Sequence, residues 1–149
     1  MARYALILAN GAPPPRRLFL FYRTKAGYFV CADGGANTAA RWGEQPDLII
    51  GDLDSIQLAT VKKFSRVKML RIADQNSTDL EKAISWTLRK GYRRVVVLGA
   101  TGGRLDHLAG NLSALGKFSL RASIRFVDED GMLQAVGREL KFKGRLGAI

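Results

Sequence analysis

Apolar positions along the chain fall into two rhythms. Four short unbroken runs stand out: Ala5-Leu6-Ile7-Leu8-Ala9, Tyr28-Phe29-Val30-Cys31-Ala32, Leu48-Ile49-Ile50 and Val95-Val96-Val97-Leu98. They are too compact for amphipathic helices and lack the alternation of a half-exposed strand, so they predict strands covered on both faces. Residues 67–72 and 123–127 predict two more. Between these runs the period lengthens. Leu80, Ile84 and Leu88 recur at i, i+4 and i+8 behind a Thr78-Asp79-Leu80-Glu81 capping box, with Gly91 as the stop. Leu105, Leu108, Leu112 and Leu115 form a second helical stripe, and shorter helices are predicted over residues 36–42 and 55–64. Pro13-Pro14-Pro15-Arg16-Arg17 reads as a surface loop. Strands alternating with helices predict an α/β fold: a doubly wound, mostly parallel, Rossmann-like sheet with helices on both faces.

The rhythm changes near the end. After Asp130, Gly131, Gly137, Gly144 and Gly147 punctuate short segments such as Glu139-Leu140-Lys141-Phe142-Lys143, which alternates as a half-exposed strand does. The pattern predicts an α/β unit over residues 1–129 and the beginning of an incomplete, truncated β-rich domain over residues 130–149. An edge hairpin on the same sheet fits the pattern equally well.

Composition narrows the class. A chain of 149 residues suits one ordinary domain, burying about two thirds of the surface an unfolded chain exposes. Hydrophobic residues make up 47% of it, ample for a core, which excludes disorder. The single Cys31 excludes an internal disulfide framework or a Cys-based zinc cage, and predicts a reducing, cytoplasmic compartment. No apolar run approaches the roughly 20 residues that span a bilayer, so no membrane partner is expected. Lys and Arg number 24 against 13 Asp and Glu, a net charge of +11. That excess suits nucleic acid, nucleotides or an anionic surface alike, and does not choose among them.

The placement of the scarce acids is more informative. Six of the thirteen lie in Gly-, Ser- or Thr-containing segments beside predicted strand ends or helix starts: Asp33, Asp52, Asp54, Asp74, Asp79 and Asp106. Ligands of open parallel sheets bind beyond the carboxyl ends of the strands, so several loops would deliver carboxylates to one rim. Clustered carboxylates repel unless a cation joins them, and oxygen ligands suit a hard divalent ion such as Mg²⁺. Asp52 and Asp54, two apart on an extended strand end, would share a face, with Asp79 in the first turn of a capped helix. Asp33 and Asp74 fit the role of turn formers equally well. Gly34-Gly35 and Gly102-Gly103 precede predicted helix starts, where backbone amides bind anions. Arg104 beside the second pair could clamp a phosphate, and His107 reads as a structural histidine.

At these residues the chain resembles the thiamine pyrophosphokinases. The matching segments are Asp33-Gly34-Gly35-Ala36-Asn37, residues 46–55, residues 74–82 and residues 99–107, in the family's order. The resemblance implies pyrophosphoryl transfer from Mg-ATP to the hydroxyl of thiamine, giving thiamine diphosphate and AMP, in a homodimer with its active site between subunits. It implies that Asp52, Asp54 and Asp79 hold Mg²⁺ and that Asp79, Gln75, Arg104 and Asp106 line the reacting centre. Nucleotide would be bound by Asn10, Gly11, Asp33, Gly34, Gly35, Asn37, Ser77, Thr78, Thr101, Gly102 and Gly103. Either Asp79 or Asp106 could accept the hydroxyl proton. In the family a C-terminal β-rich domain helps form the thiamine pocket, and residues 141–149 resemble its opening strand. Three rivals remain: a pyrophosphokinase acting on a hydroxymethyl-pterin, a nucleotide-sugar transferase suggested by Asp52-Leu53-Asp54, and a basic nucleic-acid-binding module. The last rests on charge alone, and no nucleic-acid partner is expected.

Overall fold

In the computed structural model, residues 3–137 together with 139 and 141 are described. Seven strands form one sheet among them: β1 (Ala5–Leu8), β2 (Tyr28–Ala32), β3 (Leu48–Gly51), β4 (Lys68–Arg71), β5 (Arg94–Leu98), β6 (Ser123–Val127) and β7 (Met132–Gln134). Their spatial order is β4-β3-β2-β1-β5-β6-β7, with every pairing parallel except β6 to β7. Five helices lie among them: α1 (Arg16–Arg23), α2 (Gly35–Trp42), α3 (Leu58–Lys63), α4 (Asp79–Arg89) and α5 (Leu105–Phe118). No helix among the described residues is long and apolar enough to cross a membrane.

The unbroken apolar runs become strands buried on both faces because each divides its side chains between two layers. Ile7, Val30, Leu48, Ile50, Val95 and Val97 meet α4 and α5, through Leu80, Ile84, Leu88, Leu115 and Phe118. The alternate residues Leu6, Leu8, Phe29, Cys31, Ile49, Val96 and Leu98 meet Phe19 of α1 and Ala36 and Ala39 of α2. Cys31 is fully buried, and that burial pushes its thiol pKa far up. This is the expected doubly wound α/β architecture.

Strands β1 to β4 step outward in one direction, and α4 then carries the chain back across the sheet, so that β5 pairs with the free side of β1. Chain direction across the sheet therefore reverses between β1 and β5. A crevice opens beyond their carboxyl ends, the standard ligand position in such sheets.

Four expectations need correcting. Arg16 and Arg17 begin α1 rather than closing a surface loop, with Pro15 as N-cap in an extended conformation. Its continuous apolar run hid the period, and only Phe19 is fully buried. Helix α3 starts at Leu58, not at residue 55, because residues 52–56 are tied to the cleft as described below. The capping box at α4 is half formed: Thr78 Oγ1 accepts from Glu81 N–H (3.1 Å), while the Glu81 carboxylate is engaged by Lys117 Nζ (2.7 Å). The leucine stripe of α5 is buried only at its C-terminal end, with Leu105 82% and Leu112 42% exposed. After residue 130, Met132–Gln134 forms an edge hairpin with β6; the alternating segment at residues 139–143 falls largely, and residues 142–149 wholly, outside the described residues.

Ile84 is fully buried on the face of α4 that crosses the sheet. Ile84→Ala is expected to lower the unfolding free energy by about 2–5 kcal/mol, measured as a lower urea midpoint with an unchanged slope.

Candidate active site

A cleft of about 750 Å³ occupies this crevice. Its walls are the turn after β1 (Asn10, Gly11, Ala12), Asp33 after β2, Asp52 after β3, residues 74–79 leading into α4, and Gly102, Gly103, Arg104 and Asp106 before α5.

Three carboxylates meet on one side. Asp33, Asp52 and Asp79 each offer an oxygen within 4.8 Å of the others. They come from three loops and are joined by donors. The Asp52 amide donates to Asp79 Oδ1 (3.0 Å), Lys82 Nζ donates to the same oxygen (3.1 Å), and the Ser55 amide donates to Asp33 Oδ1 (3.2 Å). The convergence needs a residue without a side chain at the end of β3. A Cβ on Gly51 would lie 2.9 Å from the Asp79 carboxylate and 3.2 Å from Asp33 Cβ. Burial pushes the Asp33 carboxyl pKa up, opposed by its bonds to Ser55 and reinforced by the nearby charge of Asp79.

Asp54 stands outside this group. The shared-face argument assumed extended backbone through residue 53, but Leu53 is left-handed, with φ of 67°. The chain turns there, the Asp54 amide donates back to Asp52 Oδ1 (3.0 Å), and the Asp54 side chain is exposed. Asp33, which also suited a plain turn, is the third member instead, itself at φ of 44°.

The remaining expected residues divide. Asn10, Gly11, Gln75, Ser77, Thr78, Gly102, Gly103, Arg104 and Asp106 line the cleft. Gly34, Gly35, Asn37 and Thr101 do not. Gly35 packs directly on the Leu8 carbonyl and Gly34 on the Asn10 side chain, so their smallness seats α2 against β1. Asn37 brackets the loop after β3: its oxygen accepts from Gln57 N–H (3.0 Å) and Thr60 Oγ1 (2.8 Å), and its amide donates to Ser55 O (2.8 Å). That substitute cap explains the late start of α3. Thr101 Oγ1 donates to Asp128 at the end of β6 (2.8 Å). Asp74 is a turn former that also lines the cleft, its carboxyl held below the usual range first by the Ser77 hydroxyl and then by the Asn76 amide. Arg104 forms a two-pronged pair with Asp106 (3.0 and 2.7 Å), and that pairing keeps the Asp106 carboxyl below the ordinary value. Both side chains are largely exposed, so the guanidinium is accessible from the cleft.

Ser55, Lys82 and Asn111 also line the cleft and went unassigned in the sequence. For Lys82 a signal existed: three residues after Asp79 on a capped helix, it shares that face.

The profile of the family "Thiamin pyrophosphokinase, catalytic domain" matches residues 21–127. Thiamine pyrophosphokinase 1 of Oryza sativa subsp. japonica is 33% identical over 142 residues, covering 79% of this chain and 53% of the relative. Thiamin pyrophosphokinase 1 of Caenorhabditis elegans is 36% identical over 113 residues, covering 70% and 42%. The chain thus spans about half the length of the curated relatives it matches. The thiamine pyrophosphokinase structure from Bacillus subtilis superposes with a TM-score of 0.72 at 29% identity, covering 85% of this chain and 61% of that one. The Geobacillus thermodenitrificans structure gives 0.70 at 33% identity, covering 84% and 59%.

A carboxyl whose pKa is raised on folding binds protons that the unfolded chain has already released, so its charge penalises the fold above the raised value and not below the ordinary one. Asn at position 33 keeps the acceptor for Ser55 and removes the charge. Without metal, Asp33→Asn is expected to melt higher than wild type at pH 7. The gain should fade as pH falls through the carboxylate range, as thermal melts across pH would register.

Proposed function

The chain belongs to the thiamin pyrophosphokinase family, and we propose that it binds Mg-ATP in the cleft and transfers pyrophosphate to the hydroxyl of thiamine. The products are thiamine diphosphate and AMP. The observation that carries this reading is the convergence of Asp33, Asp52 and Asp79 at the switch point of the sheet. An all-oxygen donor set of this kind suits a hard divalent ion, so these three residues would hold Mg²⁺, with Asp33 taking the place expected of Asp54. The chemistry such an ion supplies when bound is alignment and neutralisation of the transferring phosphates.

The chain's own residues do the rest. The Asn10-Gly11 and Gly102-Gly103 turns, with Ser77 and Thr78, face the nucleotide, and Gln75, Arg104 and Asp106 face the reacting centre. Arg104 supplies an exposed cation on the cleft wall, able to exchange Asp106 for a phosphate oxygen. The thiamine hydroxyl oxygen bonds to the β-phosphorus, and the bond from that phosphorus to the oxygen bridging to the α-phosphorus breaks. Its electron pair leaves on AMP. The hydroxyl proton passes to a cleft carboxylate, Asp79 or Asp106.

Family membership also supports a homodimer with the cleft completed by a second subunit, and Leu105, exposed between the cleft residues Arg104 and Asp106, suits such a contact. We assign residues 130–149 to the start of a β-rich thiamine-binding part that is joined to the α/β sheet through Met132–Gln134, and the reaction to the cytoplasm, where the unpaired Cys31 is stable. The pterin, sugar-nucleotide and nucleic-acid readings are not favoured, since the relatives above carry thiamine in their names.

AMP release from Mg-ATP should require thiamine, and hydroxymethyl-pterin should not replace it. Asp52→Asn and Asp79→Asn should each lower that release by about 100-fold or more, the scale of losing one preorganised charge in a transition state, with melting curves still cooperative. Turnover retained in both variants would remove the metal assignment.

A further inference from the structure

Lys82 has the least expected environment in the cleft. It lies one turn beyond Asp79 on α4, its side chain is 5% exposed, and a buried ammonium is costly unless a carboxylate meets it. The partner is Asp79 Oδ1, the oxygen that also accepts from the Asp52 amide. With both of these donors on Oδ1, Asp79 Oδ2 accepts no hydrogen bond among the described residues. Taken alone, the three ionised carboxylates and this ammonium sum to −2; Asp74 lies across the same cleft within reach of the Lys82 charge, and Arg71 Nε donates to the Asp52 carbonyl (3.3 Å).

We infer that Lys82 is a positioning residue whose ammonium serves as the built-in counter-ion of the carboxylate cluster. It anchors Asp79 by one oxygen and offsets the repulsion among Asp33, Asp52 and Asp79 while no divalent cation is present. The inference rests on the reading of that cluster as a divalent-cation site, and adds which residue sets its charge. It also sets a sign that other roles do not. A lysine that only fills space leaves cation affinity unchanged when replaced, and one that only orients a ligand weakens it. A counter-ion competes with the incoming cation, so its removal tightens binding. Deleting a unit charge a few ångströms away, at the effective dielectric of a half-buried cleft, is worth about tenfold or more in affinity.

The test is calorimetric titration of Mn²⁺ into the wild-type chain, Lys82→Gln and Lys82→Arg, with thermal melts before and after loading. Lys82→Gln keeps an N–H donor for Asp79 without the charge; Lys82→Arg keeps the charge. Lys82→Gln is expected to melt lower than wild type without metal, to bind Mn²⁺ about tenfold tighter, and to gain more in melting temperature on loading. Lys82→Arg should retain wild-type affinity. Unchanged or weaker Mn²⁺ binding by Lys82→Gln overturns the inference while leaving the cation site intact, whereas a wild-type chain that binds no Mn²⁺ sinks both. If Lys82→Gln is unfolded without metal, refolding on Mn²⁺ addition supports the counter-ion role, and failure to refold overturns it.

Discussion

Three carboxylates within 4.8 Å of one another repel, and the loops around the cleft are organised by the groups that offset this repulsion. The amide of Asp52 and the ammonium of Lys82 converge on a single oxygen of Asp79, while the amide of Ser55 meets Asp33. Two of these bonds, from the Asp52 and Ser55 amides, join segments more than twenty residues apart, so the electrostatic problem also fixes the tertiary arrangement. Gly51 is the steric counterpart: any side chain there would occupy the space in which Asp79 and Asp33 approach. Charge compensation and the missing Cβ together allow acids to gather in a protein whose net charge is +11.

The sheet supplies the position and α4 supplies the reach. Because β1 has β2 on one side and β5 on the other, the loops after both strands splay apart at its end and leave a crevice. Helix α4 begins at that crevice with Thr78 as its cap, and its apolar face crosses the sheet through Leu80, Ile84 and Leu88. Packing along the helix therefore sets where Asp79 and Lys82 stand at its first turn. Asn37 works at the other wall, tying the loop after β3 to α2 through Ser55, Gln57 and Thr60.

Much of this was legible in the amino-acid order, and the misses have physical causes. Strands buried on both faces leave unbroken apolar runs, which is why β1, β2, β3 and β5 are readable directly. The convergence of Asp52 and Asp79 on one rim is legible because scarce acids beside strand ends and a helix cap share the carboxyl edge of the sheet. Asp54 lies outside the carboxylate group because a spacing rule for extended chain does not carry through Leu53, whose left-handed backbone has no signature in a residue type that rarely adopts it. Gly35 packs on the Leu8 carbonyl and Gly34 on the Asn10 side chain, and composition cannot separate packing from ligand contact as uses of small residues. Helix α1 escaped notice because Leu18-Phe19-Leu20-Phe21-Tyr22 carries no period, and the exposure of Leu105 and Leu112 is a property of where α5 sits, not of its stripe.

The lone thiol at the centre of β2 has a practical corollary. Cys31 is sealed beneath α1 and α2 and is strongly disfavoured as a thiolate, so a soluble alkylating reagent meets it only when the central strands part. The speed of its labelling therefore counts openings of the whole layer rather than breathing of the rim. A single native sulfur becomes a reporter of global integrity, insensitive to what happens among the loops that carry the acids.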